Sequence, residues 1–283
     1  MQNETPRVAV VTDSCSDIDP RIASEYGITV VPLTVTFGDE SMPDGTLTQK
    51  EFFQKMDESA VLPTTSQPSV GQFVDTYARL LETAEEIVSV HISAKLSGTL
   101  ESATQAAAQF AEKVHVVDTF NLSWGEGLQV LEAAKAATRG ETAKSIVERV
   151  HRARDRVQML VGVDSLDQMV KGGRISRVGG AVGGALNVKI LVTPKDGKLT
   201  VARPVRGARQ ALEYGVKWIE QKMNGARAGT FAVMHAMSQD NAAWFERAIR
   251  ERFVVNDLYM VEVGAVIATH TGPGWGVALL PEE

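Results

Sequence analysis

The chain is poor in cysteine: Cys15 is the single thiol in 283 residues. One thiol excludes a disulfide framework within the chain and makes a reducing cytoplasm the natural location. Positive charge is also in deficit, with 29 Lys and Arg against 35 Asp and Glu and a formal net charge of −6. That balance argues against nucleic acid, or an anionic membrane surface, as the main partner. No apolar run approaches the ~20 residues that a membrane-spanning helix needs. The longest candidate, Gly179–Leu186, is short and glycine-rich and reads as a loop or a tight packing contact. The opening MQNETPR lacks the apolar region of a signal peptide. The expectation is a protein without an integral membrane segment.

Chemical signatures are missing as well. There is no GxxxxGK[ST] loop and no GxGxxG after a strand, so nucleotide binding is not signalled. The five histidines, His91, His115, His151, His235 and His270, do not have the spacing of a zinc site. No serine sits in a GxSxG elbow. Cys15 has no histidine near it in sequence and reads as a buried free thiol. His91 and His115 fall within strand-like runs and read as core or sheet-edge residues. Internal repeats and low-complexity tracts are absent.

What the chain does have is alternation. Strand-like runs at Val8–Thr12, Ile28–Val31, Leu33–Phe37, Ile87–Ile92 and Val114–Val117 are interleaved with helix-like runs. The helices fall at Pro20–Tyr26, Thr48–Met56, Ser69–Thr83, Thr99–Glu112, Gly125–Thr138 and Thr142–Arg154. Thr48 followed by Glu51 is a capping box, and Asp39–Gly45 reads as a turn. Such βα units imply a parallel sheet covered on both faces. Near Asp155 the pattern changes. Strands are expected at Gln158–Val163, Lys189–Pro194, Leu199–Arg203, Thr230–Ala236 and Tyr259–Ile267, with helices at Gly207–Met223 and Asp240–Phe253. Lys195-Asp-Gly-Lys198 is a two-residue hairpin signal. The predicted architecture is therefore α/β: a parallel-sheet α/β domain over 1–157 and an antiparallel α+β domain over 158–283.

In an open parallel sheet, ligands bind outside the carboxyl ends of the strands, where strand order reverses. Three loops would lie there: Thr12–Asp17, Ser93–Thr99 and Asp118–Gly127. All carry small hydroxyl residues, and two carry glycine at or before a helix start. Backbone N–H groups, hydroxyls and positive helix ends suit a small anion, a phosphate or a carboxylate. The same residues also serve as ordinary helix caps, so the loops alone leave both readings open. The polar Thr64–Ser69 loop and the glycine turns Lys171–Ser176 and His270–Gly274 add candidates of the same kind.

Taken together, six segments resemble the DegV family: VVTDS at 10–14, TSQPS at 65–69, IS at 92–93 with LSGT at 96–99, GGRIS at 172–176, LNVK at 186–189 and HTGPG at 270–274. They occur in the family's order and span nearly the whole chain. The resemblance implies a bacterial fatty-acid-binding protein, the acyl-carrying subunit of fatty acid kinase. Such a protein holds one long-chain fatty acid between its two domains and presents the carboxylate to a separate ATP-binding kinase subunit, which makes acyl phosphate. No cofactor is implied beyond the bound fatty acid, and no catalysis by the carrier. By resemblance the carboxylate is held by Thr65 and Ser93, with Thr64 as a neighbour, and Arg174 and His270 support the hydroxyls from behind. Arg206 falls in a basic segment implied to dock the kinase.

The physics fits that assignment. A carboxylate taken out of water needs several donors, and helix-start groups at Ser97, Gly98 and Thr99 can join the two hydroxyls. Each buried methylene contributes about 0.8 kcal/mol, so a long tail binds tightly with a modest polar site. The sequence departs from the family pattern at Ala94, Lys95, Ala208 and Trp275. Two alternatives stay open: a serine-dependent acyl hydrolase using Ser93 and His270, and a binding module for another amphipathic carboxylate.

Overall fold

The computed structural model describes residues 8–175 and 187–282; the opening heptapeptide, Ser176 and the Gly179–Leu186 loop lie outside them. In chain order the first part runs β1 (Val8–Asp13), α1 (Pro20–Tyr26), β2 (Ile28–Val31), β3 (Thr34–Phe37), β4 (Glu40–Pro43), α2 (Gln49–Glu58), β5 (Thr64–Ser66), α3 (Val70–Leu80), β6 (Glu86–His91), α4 (Thr99–Ala107), β7 (Val114–Asp118), α5 (Ser123–Thr138) and α6 (Ala143–Arg156). The rest runs β8 (Gln158–Val163), α7 (Asp167–Lys171), β9 (Val188–Lys195), β10 (Lys198–Arg206), α8 (Ala208–Met223), β11 (Ala228–Ala236), α9 (Gln239–Arg252), β12 (Val254–Glu262), α10 (Ala265–Thr271) and β13 (Gly274–Pro281).

The fold is α/β. A parallel sheet has the order β2-β1-β6-β7. All six residues of β1 are buried, as the apolar run Val8–Val11 implies for a strand covered on both faces, and Thr12 and Asp13 are buried with hydrogen-bond partners. Phe73 and Tyr77 of α3 and Ala103 and Ala106 of α4 cover one face, against Val11, Ile87 and Val114. The opposite face, with Val10, Val88, Val90 and Val117, packs on Leu128 and Leu131 of α5 and on Ile146 and Val150 of α6. The same core cluster takes in Met159, Val192, Ala232 and Met234 of a second sheet, ordered β10-β9-β8-β13-β11-β12. Its far face meets α8 and α9 through Leu160, Leu191, Phe231, Val233 and Trp275. The layers therefore alternate helix, sheet, helix, sheet, helix. The shared middle layer explains α5, which is buried on nearly every side and is alanine-rich, so that two sheets approach it closely.

The capping box forms between Thr48 and Glu51, and a second one forms between Ser69 and Gln72 at the start of α3. The Lys195–Lys198 hairpin forms with Asp196 and Gly197 both at positive φ, the twist a two-residue turn requires.

Several expectations need correction. Asp39–Gly45 is more than a turn: β4 pairs with β3, and β5, expected as loop, pairs with β3 on its other side in a small antiparallel sheet. Tyr259–Ile267 is not one strand. It ends at Glu262, and Gly264 caps a helix, α10. Strand β13, which lies between β8 and β11 in the second sheet, was not anticipated. The second sheet is not wholly antiparallel either, since β11 and β12 pair in parallel with α9 as the crossover.

Candidate functional site

Strand order reverses at β1, because the chain leaves it for β2 on one side and returns to β6 on the other. The loops after β1 and β6 therefore open on the same crevice. There they meet α10, which packs against β3, β5 and α7. Between them lies a cavity of about 390 Å³. Leu33, Ile92, Leu96, Leu122, Met169, Leu199, Val266 and Ile267 supply its apolar wall. Thr65, Ser66, Gln67, Ser97, Gly98, Arg174, His270 and Thr271 supply the polar part, and Cys15 also reaches the wall.

The polar residues form one contiguous cluster. Thr65 Oγ1 and His270 Nε2 share a hydrogen bond of 2.8 Å. The His270 ring lies over Gly172, where a Cβ would stand 2.4 Å from Nδ1. Two residues on, Arg174 donates from Nε to the Leu96 carbonyl at 3.2 Å and from its terminal nitrogen to the Gly172 carbonyl. Next to Leu96, the Ser97 and Thr99 hydroxyls bond at 2.8 Å. The Gln67 amide occupies the space at Gly98 that any side chain would fill, and donates to Ser102 Oγ at 3.0 Å. Helix α4 begins at Thr99 with Gly98 as an N-cap that has no side chain; the Thr99 N–H is taken by Ser97 Oγ at 3.3 Å, and the next first-turn N–H groups have no partner within the helix. Burial, reinforced by the Arg174 charge, pushes His270 down to about 4. At neutral pH the imidazole is uncharged and Arg174 is the permanent cation of the wall.

Helix α10 is held at its other end by two carboxylates. Asp17 accepts from Gly264 N at 2.8 Å and from Ser123 Oγ at 2.5 Å; Asp44 accepts from Val266 N at 3.3 Å. Removal from water, with further contributions from Asp44 and Asp13, pushes Asp17 up to about 7 against the two hydrogen bonds it accepts. The folded state thus binds this proton more tightly than the unfolded chain does. The stability it contributes is complete below about pH 4 and is lost as pH rises through 7. Asp17→Asn removes that titration. Its melting temperature relative to the wild type should climb between pH 4 and 7 and then level off. An offset that stays constant across this range would exclude Asp17 as the titrating group.

Of the residues expected at the site, Thr65, Ser97, Gly98, Arg174 and His270 meet at the cavity. Three others lie off its wall. Thr64 is exposed on β5. Thr99 is fully buried with its hydroxyl on Ser97. Ser93 is buried and donates to the Gly197 carbonyl at 2.8 Å, which ties the loop after β6 to the β9–β10 hairpin. Arg206 is exposed at the end of β10. The pair invoked for a hydrolase is not hydrogen-bonded, since Ser93 bonds to Gly197 and His270 to Thr65. Gln67, Ser66, Thr271 and Cys15 were not expected at a ligand wall. Gln67 and Ser66 could have been inferred from the TSQPS segment that contains them.

One further polar arrangement was missed. Tyr77 OH, Ser89 Oγ, His91 and Asp13 form a chain with links of 2.8, 2.7 and 2.9 Å. Its Ser–His–Asp order resembles a nucleophile relay, but all four residues are fully buried, with Tyr77 of α3 closing the chain, so no substrate reaches the serine. Among the described residues, no group of His, Cys, Asp and Glu is arranged to hold a metal ion, and no helix is long and apolar enough to cross a membrane.

Fold and site together define an α/β protein with an apolar cavity that carries one compact polar cluster. The family model described as "Uncharacterised protein, DegV family" matches residues 7–282, and the chain belongs to the DegV family. A DegV domain-containing protein of Deinococcus radiodurans is 38% identical over 280 residues, covering 97% of this chain and 98% of that one. DegV domain-containing protein YejH of Lactococcus lactis is 33% identical over 278 residues, covering 96% and 98%. Among solved structures, a DegV family protein from Thermus thermophilus, described for its fatty acid binding, matches with a TM-score of 0.92 and 35% identity over 98% of this chain and 100% of that one. DegV of Bacillus subtilis, described as a fatty acid binding protein, matches with a TM-score of 0.88 and 26% identity over 98% and 99%.

Proposed function

We propose that the protein is a cytoplasmic carrier that binds one long-chain fatty acid in the cavity between two lobes, 1–157 and 158–283. It presents the carboxylate to a separate ATP-binding fatty acid kinase subunit and performs no chemistry itself. The observation that carries this reading is the cavity: an apolar wall with one permanent cation, Arg174, set among hydroxyl and amide donors. The fatty acid binding named for the Thermus and Bacillus relatives supports it. In this reading Thr65, the Ser97 hydroxyl, the Gly98 N–H, His270 and Arg174 face the carboxylate directly, while the Ser97 N–H stays on the Ser93 carbonyl. Ser93 holds the loop that positions Ser97, and Arg206 belongs to the docking face.

A carboxylate buried with neutral donors and a single cation keeps enough charge to attack a phosphoryl group, whereas a carboxylate clamped by several cations does not. Native mass spectrometry of the purified protein, followed by solvent extraction, should reveal one fatty acid per chain. The loaded protein, incubated with ATP and a fatty acid kinase subunit, should yield acyl phosphate, and Arg206→Glu should slow that step without emptying the cavity. A protein that neither retains nor takes up any long-chain fatty acid would overturn the reading. Acyl phosphate formed at the wild-type rate by Arg206→Glu would remove the docking assignment alone.

A further inference from the structure

Behind the cavity lies a second, small apolar space of about 30 Å³. Leu122, Ile267 and Thr271 belong to both walls, so the two spaces adjoin at these side chains. Its floor is the face of the second sheet turned toward α5, formed by Met159, Val161 and Met234 beside Gly274 and Gly276. Met234 and Gly276 are cross-strand partners on β11 and β13. The terminal methyl of Met234 lies 2.8 Å from the point a Gly276 Cβ would occupy. The Ser123 hydroxyl reaches the Met234 sulfur at 3.4 Å. Met234 therefore lies across the glycine and fills room that would otherwise extend the cavity. An unbranched thioether in a gap of this kind repacks readily.

We propose that the ligand's tail passes Leu122 and Ile267 toward this space, and that Met234 sets the longest acyl chain admitted. The inference rests on the fatty-acid reading above and assigns its chain-length limit to one side chain. Met234 blocks the tail end at the sheet face, while Arg174 and His270 hold the opposite, polar end.

The test is a displacement titration with a fluorescent fatty acid and a homologous series of straight saturated acids, on wild type, Met234→Ala and Met234→Val. In the wild type, affinity should rise about fourfold per methylene up to a break, beyond which it stops rising. In Met234→Ala the break should move to acids longer by roughly one or two methylenes, while shorter acids bind as in the wild type. Met234→Val keeps a buried apolar side chain and should move the break in the same direction; it decides the matter where the alanine variant does not fold. A break that stays in place in a folded variant overturns the assignment of Met234 and leaves the fatty-acid reading intact. A wild type that binds no acid of the series overturns both.

Discussion

Arg174→Ala should weaken long-chain fatty acid binding at pH 7.5 by roughly tenfold to a hundredfold, the range for losing a hydrogen bond to a charged group. The loss should shrink on acidification. The Arg174 guanidinium is one of the two causes that hold His270 down at about 4, burial being the larger. Without that charge the imidazole takes up a proton more readily, and a bound carboxylate draws the proton in further. A charged His270 then replaces part of what the arginine supplied. Titrations at pH 7.5 and 5.5 separate the two effects. Unchanged affinity at pH 7.5 would remove Arg174 from the head-group site. An equal loss at both pH values would remove His270 as the substitute cation.

Asp13→Ala should destabilise the fold by about 3–5 kcal/mol, since it leaves three buried partners unsatisfied at roughly 1–3 kcal/mol each. The carboxylate accepts from Cys15 N at 2.9 Å, His91 Nδ1 at 2.9 Å and Ile92 N at 3.1 Å, with no part of it exposed. Removing it strands two backbone donors and the His91 ring, and through His91 it loosens the link to Ser89 and Tyr77. For a chain of this size the melting temperature should fall by about 5–8 °C. Urea denaturation should show a lower midpoint with an unchanged slope. A melting temperature within a degree or two of the wild type would mean that water or a neighbour replaces the carboxylate. The loops after β1 and β6 both begin at this residue's contacts, so the variant should also lose grip on whatever fills the cavity.

The legible part of the fold was the part where local pattern and tertiary role agree. The parallel sheet announces itself because β1, β6 and β7 are short apolar runs separated by amphipathic helices. Strand β13 does not, because Gly274-Trp-Gly-Val-Ala-Leu-Leu-Pro281 is buried from Trp275 to Leu280 and has neither alternation nor a polar face. Strand β4 fails for the opposite reason: it is exposed and has no apolar residue on every second position. Helix α10 contains Val, Ile and two Thr, residues that favour strands. What makes it helical is remote, since Asp17 and Asp44, more than two hundred positions away in sequence, satisfy its first N–H groups. The polar residues that gather at the cavity lie in segments that the family's motifs single out. The apolar wall was not, because Leu33, Leu122 or Ile267 facing a cavity is chemically the same residue as one facing a neighbour. Ser93 shows the limit of motif reasoning, for its hydroxyl turns to Gly197 rather than to the cavity.

Helix α10 is gripped by acids of the first half at one end and offers His270 to the cavity at the other, so the cavity's contents and the seam between the halves share one support. A guest lodged there touches both sides and acts as an adhesive. Its affinity adds to the cohesion of the molecule by mass action, and anything that pries the seam open discharges the guest to the same extent. Under the proposed function, release of the guest and durability of the fold are two readings of a single equilibrium, and the empty protein is the more fragile form.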